Sequence, residues 1–241
     1  MPLTVQYSED QNGYVFNSHR DGVTVTGFTR DALLSSAATA LADIATHLIE
    51  RLQPSAFDVE IAEKAAPLRQ AWKVRYDEAM AEKRAIAEAD VRMAEIPASV
   101  RQTHFSEIRA SFKSLNTADA ANLASNADLE NLSALIDAGQ KLIGLSDPVW
   151  EIVQDRYLVL ATVERLGLLA NYQQIPTVDS LLPIGPDHAA AEKAVREMLA
   201  AHDKRKADLA DSEVELLSML KFMANVEHRS ADDVLQDALA A

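Results

Sequence analysis

The chain contains no cysteine among its 241 residues, which excludes disulfides, thiolate zinc sites, iron–sulfur ligation and cysteine nucleophiles. It has only seven glycines, and none falls in the Walker A or dinucleotide-binding spacing. The sequence also lacks the Gly-x-Ser-x-Gly nucleophile elbow and the His-Glu-x-x-His zinc helix. These absences argue against the common enzyme classes, so we predict no catalytic residue, no cofactor and no small-molecule substrate.

Positive charge is scarce. The chain has 23 Lys and Arg against 37 Asp and Glu, a formal net charge of -14. Phosphate backbones and anionic lipids bind proteins through clustered Lys and Arg, so we expect neither a nucleic-acid nor a membrane partner. The longest basic cluster, residues 204–206, is flanked by Asp203 and Asp208, as is typical of a solvated helix face.

The sequence also has no long hydrophobic run. Its first ten residues lack the basic region and the apolar core of a signal peptide. No window approaches the roughly 18 uninterrupted apolar residues that a membrane-spanning helix needs. We therefore expect a cytoplasmic protein, or one in a particle assembled in the cytoplasm.

Alanine is abundant while aromatic residues make up only 5% of the chain, a composition that suits helices packed at close range. The predicted fold is mainly α: a multi-helix bundle with a long coiled-coil-like helix or hairpin and a small N-terminal antiparallel β meander. Residues 1–28 form the meander, because apolar and polar residues alternate there. Asn12-Gly13 and Asp21-Gly22 supply its turns.

Helical periodicity begins at Thr29, and residues 29–174 are predicted to form the bundle. A first helix covers 30–52, and a long charged helix covers 55–96, with a capping box at Ser55 and Asp58 and a kink or division at Pro67. Further helices are predicted over 98–115, 116–126 and 128–143. Asp147-Pro148 then opens an apolar helix that should be the central buried element.

The C-terminal third is interrupted by proline. Residues 175–186 form a Pro-rich connection, either a loop crossing the bundle or a linker. Residues 187–241 are predicted to be a C-terminal helical segment, with new helix starts at Ser212 and Ser230.

The six histidines do not form a metal-binding pattern. A carboxylate-bridged di-metal bundle needs Glu-x-x-His on two helices, and no histidine here has a Glu three residues before it. His47 with Glu50 and His104 with Glu107 have the reverse order. We interpret both as surface histidines with helical neighbours and predict no metal site.

Two features favour contacts with other protein molecules. The predicted meander is too small to stand alone, so it must pack on a helix or lend an edge to another chain. The long charged helix carries a narrow apolar stripe that includes Trp72 and suits a coiled-coil partner. The predicted interface residues are Tyr7, Tyr14, Phe16, Val25, Leu68, Trp72, Tyr76, Ile86 and Met93.

The sequence thus predicts a non-catalytic structural or assembly protein that acts through protein–protein contacts, as a subunit of a homo-oligomer or a larger particle such as a phage or virion component. One alternative is an adaptor or chaperone that holds a client in a helical groove. Another is an enzyme of unfamiliar type, which would gather a histidine such as His47 or His104 and at least two acids in one pocket.

Overall fold

The computed structural model of the protein describes residues 3–178 and 181–241. In these residues three strands precede ten α-helices, which confirms the mainly α fold with a small N-terminal antiparallel sheet. The elements in chain order are β1 (Leu3–Ser8), β2 (Gly13–Arg20), β3 (Val23–Thr29), α1 (Ala32–Ile49), α2 (Pro54–Lys64), α3 (Ala66–Ala94), α4 (Phe105–Lys113), α5 (Thr117–Asn126), α6 (Leu129–Ala138), α7 (Gln140–Ile143), α8 (Asp147–Arg165), α9 (His188–Glu227) and α10 (Ala231–Ala240), with a 3₁₀ turn at Leu168–Ala170.

The sheet is an antiparallel meander in the order β1-β2-β3. Asp21 and Gly22 join β2 to β3 with φ angles of 49° and 80°, the two positive values that a type I′ hairpin turn requires. Tyr14 is paired with Tyr7 of β1 and with Thr29 of β3, which fixes the register on both sides of the central strand.

Proline sets the boundaries of the helices that follow α1. Pro54 is the first residue of α2, and the chain separates α2 from α3 at Ala65, beside Pro67. The predicted division at Pro67 is therefore confirmed. The predicted capping box at Ser55 is wrong: Gln53 is the N-cap residue, because proline already occupies the first helical position.

Several predicted helices are shorter or longer in the structure. Residues 98–104 precede α4 as turns, and Gly139, with a φ of 77°, divides the predicted helix 128–143 into α6 and α7. The predicted new start at Ser212 is wrong, because α9 continues through it and the Ser212 hydroxyl donates to Asp208 O inside the helix. Ser230 does cap α10, accepting from Asp233 N at 3.1 Å.

The chain forms two compact units. Unit 1 comprises the residues up to Ala85 together with Arg205–Ala241, and unit 2 comprises Ile86–Lys204. Both boundaries fall inside long helices, α3 and α9. These units differ from the four predicted segments 1–28, 29–174, 175–186 and 187–241, because the C-terminal part of α9 and all of α10 pack with the N-terminal elements.

The core of unit 1 joins the sheet to α1, α2, α3, α9 and α10. Phe16 of β2 lies 5.7 Å, centroid to centroid, from the ring of Phe222 of α9. The core also includes Leu34, Leu41, Ile61, Leu68, Trp72, Met219, Met223 and Val234. Helix α1 is long and apolar enough to span a membrane, with a mean hydropathy of 1.4, but its apolar side packs in this core.

The core of unit 2 is built around α8. Val149, Val153 and Tyr157 of this helix pack against side chains of α4, α5 and α6. The Tyr157 hydroxyl donates to Glu95 O at 2.8 Å, and burial raises the pKa of this phenol. A second, smaller cluster joins Val159 and the C-terminal end of α8 to the first turns of α9. In unit 2, α8 is therefore the buried central helix that the sequence predicts.

A buried acid anchors the C-terminal end of α9 in unit 1. Glu227 is 1% exposed, and its two carboxylate oxygens lie 2.7 Å from Arg69 Nη1 and 3.3 Å from Arg229 Nη1. Arg229 also contacts Asp237 of α10 at 2.5 Å. Burial raises the pKa of Glu227, although both arginines act to lower it.

We expect Gly27→Ala to destabilise unit 1. A Cβ at this position would lie 2.8 Å from Phe222 Cβ and 3.1 Å from Met219 Sδ, closer than van der Waals contact allows. Overpacking of this kind costs about 1–3 kcal/mol of unfolding free energy. Urea unfolding followed by circular dichroism measures the change, and Gln6→Ala on the exposed sheet face is the matched control. A Gly27→Ala protein as stable as the control would contradict the close packing of β3 on α9.

Glu227 should make the unfolding free energy depend on pH. A carboxyl whose folded pKa lies above its ordinary value of 4.5 contributes stability that is fully present below that value. The contribution is lost as the pH rises through the raised pKa. The unfolding free energy of the wild type minus that of Glu227→Gln should therefore fall as the pH rises above about 4.5 and through the raised pKa. Glu213→Gln, which removes an exposed carboxylate paired with Lys83, is the control for the loss of a carboxylate as such.

Candidate protein interaction surfaces

The two edges of the sheet differ in what lies beside them. Beyond β3, helix α9 packs against the strand at Phe28. The Phe28 N–H donates to Ser218 Oγ at 3.1 Å, and the Ser218 hydroxyl shares its own proton between Phe28 O and Glu215 O. Thr29 Oγ1 and Arg30 N, in turn, donate to Glu215 Oε2. Helix α9 thus occupies the place that a further strand beside Phe28 would need.

The hairpin turn determines which backbone groups point outward. In a two-residue hairpin the closing residues form a hydrogen-bonded pair, here Arg20 and Val23. Hydrogen-bonded and non-hydrogen-bonded pairs then alternate, so the odd-numbered residues of β2 bond to β1. Because Thr4 and Gln6 face β2 in this pattern, the N–H and C=O groups of Leu3, Val5 and Tyr7 point away from the sheet.

The outward backbone groups of Leu3, Val5 and Tyr7 are here called the β1 edge. Helix α1 packs against β1, and the Leu3 and Val5 side chains pack on the unit 1 core. Among the described residues, no hydrogen bond from outside the sheet reaches the backbone of Leu3–Ser8. On β3 the corresponding outward residues are Thr24, Thr26 and Phe28, and the last of these is bonded to Ser218. The contact at Phe28 therefore leaves two outward residues on β3, Thr24 and Thr26, against three on β1.

Two tyrosines stand beside the β1 edge. Tyr7 and Tyr14 form an edge-to-face pair with ring centroids 5.2 Å apart, and their side chains are 53% and 39% exposed. The Tyr7 hydroxyl donates to Asn12 Oδ1 at 2.6 Å. Both were predicted as interface residues, and the structure leaves both rings accessible to another molecule.

Four predicted interface residues are buried inside the chain, and their assignment to an interface is corrected. Phe16 and Leu68 lie in the unit 1 core at 0% and 1% exposure. Trp72 is 3% exposed, and its indole Nε1 donates to Leu216 O at 2.8 Å. Ile86 in unit 2 is also buried. In unit 1 the apolar stripe of α3 is covered by α9 of the same chain, so it does not need a second molecule.

The other three predicted interface residues are half-buried. Tyr76 stacks on the ring of Trp72 with centroids 5.2 Å apart and packs against the unit 1 core. Val25 lies on β3 and Met93 near the end of α3, and each keeps part of its side chain accessible. None of the three is brought next to Tyr7 and Tyr14 by a contact in the structure.

An exposed apolar loop was not among the predicted interface residues. Its base is closed by the hydrogen bonds Gln174 N to Gly185 O, at 3.0 Å, and Asp187 N to Tyr172 O, at 2.8 Å. Between them five large apolar side chains are 73–96% exposed; these residues, here called the apolar loop, are Ile175, Val178, Leu181, Leu182 and Ile184. The sequence signal was the run of apolar residues among prolines, which predicts a connection but not its exposure.

One histidine lies among acids near the β2–β3 turn. The two ring nitrogens of His228 are each 3.3 Å from a carboxylate oxygen, one of Asp21 and one of Asp58, and Asp58 also accepts from Arg20 at 2.5 Å. A neighbouring pocket of about 330 Å³ is lined by His19, Asp21 and apolar side chains. The acids pair with Arg20 and His228, so the cluster ties the turn to α2 and the end of α9.

His47 and His104, the histidines that the sequence offers for a catalytic pocket, are both exposed. His104 contacts Glu107 on the exposed start of α4, at 3.3 Å. In the described part of the chain, no group of three or more His, Asp or Glu side chains is placed to hold a metal ion.

A charged cleft of about 360 Å³ lies beside α1, α3 and α9 in unit 1. Arg75 reaches Asp31 at 2.7 Å and Glu78 at 2.5 Å, and Arg205 reaches Glu82 at 2.7 Å. Hydrogen bonds to Glu78 and Asp31 raise the pKa of Arg75, so it stays charged. The Arg75–Asp31 and Arg205–Glu82 pairs crosslink the helices, so the two arginines that line the cleft already have acidic partners.

A comparison of the chain with known protein families, curated proteins and solved structures finds no match.

Ser218→Ala tests how α9 blocks β3. The substitution removes the oxygen that accepts from Phe28 N, and a partly buried amide left without a partner costs about 1–3 kcal/mol. Ser212→Ala is the matched control, since Ser212 is an exposed serine on α9 whose hydroxyl also donates to a helix carbonyl. We expect chemical denaturation to show a loss for Ser218→Ala only. Equal stability of the two variants would mean that Ser218 does not hold the β3 edge.

Proposed function

We propose that the protein is a non-catalytic structural or assembly protein that works through contacts with other protein molecules, as a subunit of a homo-oligomer or of a larger particle. The observation that carries this proposal is the apolar loop. Its five large side chains lie within ten residues of sequence, and folding leaves each of them at least 73% exposed.

Scattered exposed apolar side chains are normal on a soluble protein, but a concentrated apolar surface is typical of an interaction site. The two backbone hydrogen bonds at the base of the apolar loop hold its two ends together. Exposed Leu and Ile side chains can enter a pocket of a partner, and burial of one such side chain contributes about 1.5–3 kcal/mol. Two or three such side chains would contribute about 3–9 kcal/mol, against which the entropic cost of association must be set.

The net charge shapes how such association would occur. Two copies at -14 each repel one another, and salt screens this repulsion over a Debye length of about 8–10 Å at ordinary ionic strength. Apolar contacts are not weakened by moderate salt. Self-association through the apolar loop should therefore strengthen as salt is added, which is the opposite of association through complementary charges.

Two alternatives fit particular features of the molecule. An adaptor or chaperone could use the apolar loop on a client protein, and such a protein would sediment as a monomer or dimer when alone. An enzyme of unfamiliar type is favoured by His228 between Asp21 and Asp58 beside the 330 Å³ pocket. That enzyme would lose its activity in His228→Gln, whereas assembly would not change.

Sedimentation velocity over a range of protein and salt concentrations tests the proposal. We expect wild-type protein to associate with a defined stoichiometry, and the double variant Leu182→Ser/Ile184→Ser to associate about 10- to 100-fold more weakly. The residues are 90% and 94% exposed, so the fold should tolerate the change.

The control for this experiment is Val59→Ser/Val214→Ser, which removes two exposed apolar side chains from helices α2 and α9. It should associate like the wild type. A wild-type protein that stays monomeric at every soluble concentration, with or without salt, would overturn the assembly proposal. Equal weakening by both double variants would overturn the role of the apolar loop.

A further inference from the structure

The β1 edge presents three outward-facing residues. Its outward N–H and C=O groups belong to Leu3, Val5 and Tyr7, which are spaced symmetrically about Val5. If two β1 strands meet antiparallel with a two-fold axis at Val5, Leu3 of each copy faces Tyr7 of the other. All outward backbone groups then form hydrogen-bonded pairs, as the antiparallel ladder requires.

The side chains are compatible with the same arrangement. Leu3, Val5 and Tyr7 share one face of the sheet, so the two-fold axis places Val5 against Val5 and each Leu3 against a Tyr7 ring. Tyr7 is 53% exposed in the single chain and would become covered. On the opposite face, the exposed Thr4 of one copy lies beside the exposed Gln6 of the other.

Strand β1 differs from the rest of the molecule in its lack of charge. In a chain with 37 acidic residues, Leu3–Ser8 has no charged side chain. Natural sheets commonly protect an exposed edge with a lysine, a proline or an inward-pointing charge, and β1 carries none of these in its six residues. Two identical strands can therefore approach without placing like charges opposite each other.

We propose that β1 of one molecule pairs antiparallel with β1 of a second copy, about a two-fold axis at Val5, to form a continuous six-stranded sheet. This inference rests on the proposed assembly function and names the partner as the chain itself. The block that α9 imposes at Phe28 limits the sheet to one new pairing per molecule, so the contact closes as a dimer. Larger assemblies then need a second contact, such as the apolar loop.

Introduced cysteines test the register, because the native chain has no thiol. Thr4 and Gln6 would form non-hydrogen-bonded pairs across the two-fold axis, with Cα atoms about 4.5 Å apart, close enough for a disulfide. Full-length Thr4→Cys and Gln6→Cys proteins are oxidised separately and as an equal mixture, and disulfide-linked dimers are quantified on non-reducing gels. Thr24→Cys, on the β3 edge, is the control. Circular dichroism of the reduced proteins confirms that each variant folds.

We expect the mixture to form linked dimers at least about tenfold faster than either variant alone, and Thr24→Cys to form few. Rapid dimers of Thr4→Cys alone would indicate parallel pairing or an antiparallel pair with its two-fold axis at Thr4, and either result would overturn the proposed register. Absence of linkage in the mixture, with sedimentation still showing association, would overturn pairing through β1 but leave the assembly function standing. Absence of both linkage and association would overturn both proposals.

Discussion

The contact between β3 and α9 is the constraint on which unit 1 depends. Gly27 lets the helix approach so closely that no side chain fits between the strand and Phe222, and Ser218 bonds to the backbone of Phe28. A small three-stranded sheet is marginal alone, so this packing gives it a hydrophobic core. The same contact blocks one edge of the sheet at Phe28 and leaves the β1 edge without a partner in the chain.

Burial of Trp72 changes where contacts with other molecules can form. The narrow apolar stripe of a long charged helix suggests an intermolecular coiled coil, yet in unit 1 the chain supplies its own partner helix in α9. The apolar stripe of α3 is therefore covered within unit 1 and does not require a second molecule. The fold leaves the outward backbone groups of β1 without a hydrogen bond from the rest of the described chain and the side chains of the apolar loop exposed, and the proposed assembly uses those two features.

Local sequence rules predicted much of the fold because the signals are local. Alternation in residues 3–28, the positive φ of Asp21-Gly22 and the helix breaks at Pro54 and Pro67 each depend on neighbouring residues. The failures were of two kinds. Ser212 resembles a helix start but lies inside α9, where tertiary packing overrides a cap signal. The burial of Phe16, Leu68 and Trp72 depends on the part of α9 from Leu216 onward, which is at least 144 residues away from each of them in sequence. Periodicity holds no information on such contacts.

The central claim is that one sheet edge is blocked by α9 and the other is open. Residue-resolved amide hydrogen exchange on dilute, monomeric protein tests it most directly, because it reports each backbone N–H separately. We expect the Phe28 amide, which is bonded to Ser218, to be protected. The Val5 and Tyr7 amides should exchange at least about 100-fold faster and become protected only as the protein concentration rises. Val5 and Tyr7 amides as protected as Phe28 in the monomer would contradict it.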